Sequence, residues 1–227
     1  DDALGTRFRR ALIARADAAC AQPPQAAALG GLSFYSDLAS NEEIDLEAAT
    51  EQVFVNPVGN TFHVAQPLMK AAAMVLSAAY PGASSYPDLL GAARQVMADY
   101  GVADVADERA FSEALFQLVV TQGVMVTVWT GPTVAEPDER PAAHSLARQQ
   151  AGTPGWVVSG ARHVAIDLDP LGRLLLGWLD GRRTVDELTQ RMQASLAQSG
   201  VDLPLERLRE LTWQQLWLFA RQGLLMA

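Results

Sequence analysis

The chain has little of what most chemistry-bearing motifs require. Cys20 is its single cysteine, so no internal disulfide forms, and the composition fits a reducing compartment. Cys20, His63, His144 and His163 are the only soft or imidazole ligands, and none falls in a close-spaced pair. No metal site is therefore expected. Neither a G-x-G-x-x-G nor a G-x-x-x-x-G-K run occurs, so no nucleotide or S-adenosylmethionine cofactor pocket is expected either. A G-x-S-x-G elbow is missing as well, which excludes the common form of Ser–His–acid hydrolase. On these grounds no catalytic, cofactor-binding or metal-binding residue is assigned. No apolar run approaches the roughly 18 residues of a membrane span, and Asp1-Asp2-Ala3 has neither a basic stretch nor a signal core. The chain accordingly reads as cytoplasmic, with no membrane partner, and its lack of an initiator Met marks residue 1 as a boundary within a longer protein. Lysine is nearly absent too: Lys70 stands against sixteen arginines, a ratio that reads as codon usage.

With 49% hydrophobic and 19% charged residues, the chain is globular and long enough for one large core or two small ones. Its net charge of −9 is uneven, since residues 1–130 hold 7 Lys+Arg against 15 Asp+Glu and residues 131–227 hold 10 against 11. An acidic surface of this kind repels phosphate backbones and anionic lipid.

Organisation centres on Asp167–Leu188. Asp169 precedes a proline at a first helical position, Leu171, Leu174, Leu175 and Trp178 mark one face, Asp180-Gly181 breaks the helix, and Thr184 caps the next. A third helix runs from Leu205 to Gln222, followed by a short return strand, and Trp156–Ser159 and His163–Asp167 read as strands leading in. This is the order of a winged helix. Upstream, a strand is expected from about Ala11, another over Leu32–Leu38, and a hairpin over Glu51–Val55 and Thr61–Ala65, turned at Asn56–Asn60. Helices follow from Leu68, from a Ser85 cap and from Glu108, the last leading to a strand over Val124–Trp129. Gln66-Pro67-Leu68 matches Asp169-Pro170-Leu171, and Gln122-Gly123 matches Gln222-Gly223, at a nearly constant offset. The expected fold is α+β, two winged-helix-like three-helix units with short antiparallel strands, the first preceded by extra strands. Its expected divisions are residues 1–130, a linker or arm over 131–155, and a C-terminal winged unit over 156–227.

Several charged groups are candidates for function. Glu42, Glu43, Asp45 and Glu47 read as a solvated loop. Third helices that read DNA need cations, yet the first unit offers only Arg109 beside Glu108 and Glu113, and Arg207 and Arg209 in the second diverge around the helix. No nucleic-acid partner is expected. Arg162-His163 and Arg182-Arg183 form at most small cationic patches. In the last helix, Leu208, Leu211 and Leu218 suffice for a core stripe, which leaves some of Trp213, Trp217 and Phe219 for a second surface. Trp213, Trp217, Arg162 and His163 are thus the candidate partner contacts.

Phe8–Asp17, Arg140–Arg148, Arg162-His163 and Asp169–Arg183 together resemble the region downstream of the catalytic domain in bacterial class I methyltransferases. That region is the methyltransferase regulatory domain, followed in the protein lysine-type branch by a C-terminal winged-helix domain. The resemblance implies a noncatalytic regulatory or substrate-binding region, with the catalytic domain as partner in cis and a protein substrate as a second partner. The donor-binding domain lies outside this sequence, so no catalytic residue carries over. A winged-helix nucleic-acid-binding protein and a free-standing peptide-binding module are the alternatives.

Overall fold

The computed structural model describes residues 25–102, 107–153 and 157–227, so the strand expected from Ala11, Cys20 and Trp156 lie outside the described residues. After a short 3-10 helix at Ala26–Gly31 come β1 (Ser33–Tyr35), β2 (Gln52–Val55), β3 (Thr61–Val64), α1 (Pro67–Ala79), β4 (Ser84–Ser85), α2 (Tyr86–Asp99), α3 (Glu108–Val120) and β5 (Met125–Thr127). The second half holds β6 (Ala142–Ala143), α4 (Ser145–Ala151), β7 (Val157–Ser159), β8 (Ala165–Asp167), α5 (Pro170–Trp178), α6 (Val185–Gln198), α7 (Leu205–Arg221) and β9 (Leu225–Met226). The fold is α+β, as expected.

Local chemistry sets the helix starts. Pro67 and Pro170 sit in first turns whose amide hydrogens have no partner within the helix. Asp169 accepts from the Gly172 amide at 2.6 Å. Thr184 and Glu187 form a reciprocal capping box, the Thr184 amide donating to Glu187 Oε2 at 2.8 Å and the Glu187 amide to Thr184 Oγ1 at 3.2 Å. Both third helices end on a Gln-Gly pair with one left-handed residue, Gln122 at φ 63° in the first unit and Gly223 at φ 67° in the second.

Two hydrophobic cores result, one from Leu29 to Val124 and one from Ala143 to Leu225. The repeat read from the sequence reappears in the pairing. In the first unit β1 lies between β4, which falls between α1 and α2, and β5, which follows α3. In the second, Ala142 of β6 bridges Asp180, between α5 and α6, and pairs with Met226 of β9, which follows α7. Each unit thus sets one leading strand between a return strand and a residue that lies between its first two helices. The segment read as a linker or arm is packed into the second unit: Ala143 and Ala147 are buried in its core, and the Val185 amide donates to Glu139 O at 3.1 Å. Its Pro content marks turns in a docked segment, since β6 needs a neighbour on each side.

Lys70 is fully buried, which the codon-usage reading did not anticipate. From α1 its Nζ donates to Asp45 O at 2.7 Å and Ala48 O at 2.9 Å, pinning the acidic loop to the first core. Within that loop Asp45 Oδ1 accepts from the Glu47 and Ala48 amides at 2.9 and 3.0 Å. Those bonds, the Ala48 one foremost, with the Lys70 charge adding a little, hold the Asp45 carboxyl below the usual carboxylate range. The loop is thus held by its own main chain and by Lys70.

Two outcomes follow for this loop. Lys70→Met strands two carbonyls, at roughly 1–3 kcal/mol for a buried group left unmet, and should lower the unfolding free energy by about 3 kcal/mol in a urea titration. Because the folded Asp45 pKa is depressed, its contribution is complete above the ordinary carboxylate pKa and is lost as pH falls through the lowered value. Asp45→Asn should therefore flatten the acid limb of a stability–pH curve.

Candidate functional site

The two units meet along a seam where two arginines of the second reach into the first. Arg162 stands in the turn between β7 and β8, a hairpin held by Gly160. A Cβ at Gly160 would meet Gln222 O at 2.8 Å and Ile166 Cδ1 at 2.9 Å, so only glycine lets the hairpin lie this close to the end of α7. From there the Arg162 guanidinium stacks over the Tyr35 ring, 3.6 Å from its centroid, and donates from Nε and Nη2 to Pro81 O at 3.0 and 2.6 Å. Arg221, the last residue of α7, donates from Nη1 to Ser77 O at 2.9 Å, pairs through Nη2 with the Asp37 carboxylate, and lies 5.1 Å from the Tyr80 ring centroid.

These acceptors have a common origin. Ser77 sits in the last turn of α1, whose final carbonyls have no partner inside the helix and carry its negative dipole end, and Pro81 lies just beyond. Two cations from the other unit satisfy that helix end. Burial lowers both arginine pKa values and, as the main cause, raises that of Tyr80. Guanidinium remains charged under such shifts.

Two clefts flank the Tyr35–Arg162 stack. One, of about 490 Å³, includes Asp37, Tyr80, Asp167 and Leu218 in its wall. The other, of about 410 Å³, is lined by Tyr35, Val126, Thr127 and Trp129 on one side and His144, Ala161, Arg162 and His163 on the other. His144 and His163, far apart in sequence, thus face one space. His163 is exposed with φ 57°, an uncommon conformation for a residue other than glycine. His63 lies elsewhere, 3.5 Å from Glu51.

The remaining flagged residues divide. Trp213 is half-buried against the second core, whereas Trp217 is 45% exposed. The core stripe of α7 is Leu208, Thr212, Leu216, Phe219 and Ala220, while Leu218, expected inside, is 47% exposed. Thr212 takes a place in the stripe because its hydroxyl donates back to Leu208 O at 2.8 Å, which removes the cost of burying it and shifts the buried face around the helix. Cations of the third helices are engaged locally: Arg109 with Glu113 at 3.0 Å, Arg209 with Asp186 at 2.7 Å, and Arg207 with Glu210. Arg183 is held by Asp180 at 2.9 Å within its turn. Arg221, Tyr35 and Asp37 were not identified from the sequence; the one available signal was the match at Gln122 and Gln222, which aligns the ends of α3 and α7.

Two substitution pairs read this geometry. Arg162→Ala with Arg221→Ala should split a single urea transition into two, because the contacts joining the units lose both cations. Trp217→Ala should change stability by less than about 0.5 kcal/mol, as expected of an exposed side chain, and Trp213→Ala should lower it by about 2–3 kcal/mol.

Residues 139–211 match the family model described as the PKMT C-terminal winged helix domain. No curated protein matches the chain in sequence. Among solved structures, that of PKMT2 from Rickettsia typhi in complex with AdoHcy is similar with a TM-score of 0.74 at 15% identity, covering 91% of this chain and 44% of that one. A second structure of PKMT2 from Rickettsia typhi gives 0.73 at 17% identity, with the same coverage. The chain thus spans less than half the length of the solved chains it matches. With the strand–helix pairing described above, residues 139–211 are similar to the PKMT C-terminal winged helix domain, within a chain that shares the fold of part of PKMT2.

Proposed function

We propose that this chain is a noncatalytic regulatory or substrate-binding region of an S-adenosylmethionine-dependent methyltransferase that acts on protein lysines in the cytoplasm, with its catalytic domain joined in cis. The observation that carries this reading is the pairing of the family match over residues 139–211 with a shared fold along 91% of the chain. Support comes from the sequence, in which no glycine-rich loop is built to approach a nucleotide, and from the seam, which joins two winged units into one body suited to present a surface. In this reading residues 1–130 form the regulatory unit, and the second unit begins with the docked segment that contains β6.

Calorimetric titration of the chain with S-adenosylmethionine tests it. No saturable heat is expected, and micromolar affinity would overturn the noncatalytic assignment. Gel-shift with duplex DNA tests the nucleic-acid alternative: a phosphate-contacting site loses roughly 10³–10⁵ in affinity over a moderate salt increase for six to ten contacts. Negligible retention at low salt is expected, because the third-helix arginines are engaged with carboxylates.

A further inference from the structure

We infer that the outer edge of β5 binds an extended, acidic segment of a partner protein as an added strand, with its carboxylates received by the cleft of Arg162, His163 and His144. Strand β5 ends the order β4-β1-β5, and among the described residues its outer edge has no pairing partner. Edge strands are ordinarily blunted by charge, proline or a bulge. Here the run from Met125 to Trp129 is uncharged, with Met125, Val126, Val128 and Trp129 exposed by 44%, 40%, 86% and 44%. The end of this run is also held in place. The Trp129 amide donates to Thr127 Oγ1 at 3.0 Å, that hydroxyl donates to Trp129 O at 3.2 Å, and the indole lies where a Cβ on Gly131 would sit. An exposed tryptophan fixed in this way is an aromatic anchor whose ordering cost is already met.

The adjoining cleft supplies the charge preference. In antiparallel pairing Tyr35 lies opposite Met125 and Ser33 opposite Thr127, so Tyr35 and Thr127 share one sheet face. The cleft of about 410 Å³ is lined by Tyr35 and Thr127 of that face together with the neighbouring Val126. Alternate side chains of a strand added to β5 fall on the same face and point into it. Its lining holds Arg162, His144 and His163 and no carboxylate, on a chain whose net charge is −9. His144 Nδ1 is buried there without a hydrogen-bond partner. An acidic segment is the complement, and main-chain pairing supplies affinity that side chains need not.

This inference deepens the substrate-binding form of the proposed function and rests on it. It is tested by fluorescence anisotropy of the chain with a fluorescein-labelled peptide of alternating glutamate and valine. Saturable binding is expected, abolished when alternate peptide amides are N-methylated and lost when lysine replaces glutamate. Trp129→Ala and His163→Asp should each weaken binding by about tenfold, the size of one charge-assisted or aromatic contact. Val128→Glu, at an 86% exposed position where folding is not at stake, should do the same. Equal affinity for the lysine or N-methylated peptide, no saturable binding, or sedimentation showing that β5 pairs with a second copy of the chain would overturn the inference. Those failures leave the calorimetric result with S-adenosylmethionine untouched, so the two readings fall separately.

Discussion

Arg162 and Arg221 hold the two winged units against each other by meeting an electrostatic need that the first unit creates. A helix end displays carbonyls with nothing to accept, and burying them against an apolar face would be unfavourable. Capping the end of α1 with guanidinium groups from the partner unit satisfies it and also satisfies the cations, whose planar faces rest on Tyr35 and near Tyr80. A lysine at either position would supply a point charge without the fork that reaches carbonyl and ring together. The cost of half-burying two cations is offset only in the docked arrangement, which favours one relative orientation of the units.

A similar strand pairing gives the two units a common skeleton, and departures from it form the seam. Both units place a leading strand between a return strand and a residue that lies between their first two helices, and both close the third helix with one left-handed residue of a Gln-Gly pair, Gln122 in the first and Gly223 in the second. What differs is added outside that frame. The first unit carries the β2–β3 hairpin and the loop pinned by Lys70, while the second carries the β7–β8 hairpin that bears Arg162. With Arg162 on an addition and Arg221 at the end of the third helix, contact between the units is asymmetric, and among the described residues β5 keeps an open edge.

Much of the fold was legible because its signals are local. Proline after a capping residue, Thr184 ahead of Glu187 and glycine after Gln222 each mark a boundary within a few residues, and the repeat of those marks exposed the two-unit plan. The buried face of α7 was misplaced because Thr212 looks polar in sequence, and only the bond to Leu208 O makes it a core residue. Arg221 was invisible for a related reason: its partners Asp37 and Ser77 lie more than a hundred residues away, and no spacing rule links them. Arg162 and His163 were flagged for their charge, but that they share a cleft with His144 depends on the docking of one unit on the other.

Lys70 has a chemical consequence beyond stability. It is the only lysine in these 227 residues, and its amine is wholly enclosed with its hydrogens directed at two carbonyls. The surface is therefore free of lysine side-chain amines, and reagents or enzymes that seek a lysine amine find none on it while the core stays closed. A body of this kind can stand beside lysine-modifying chemistry without becoming its substrate.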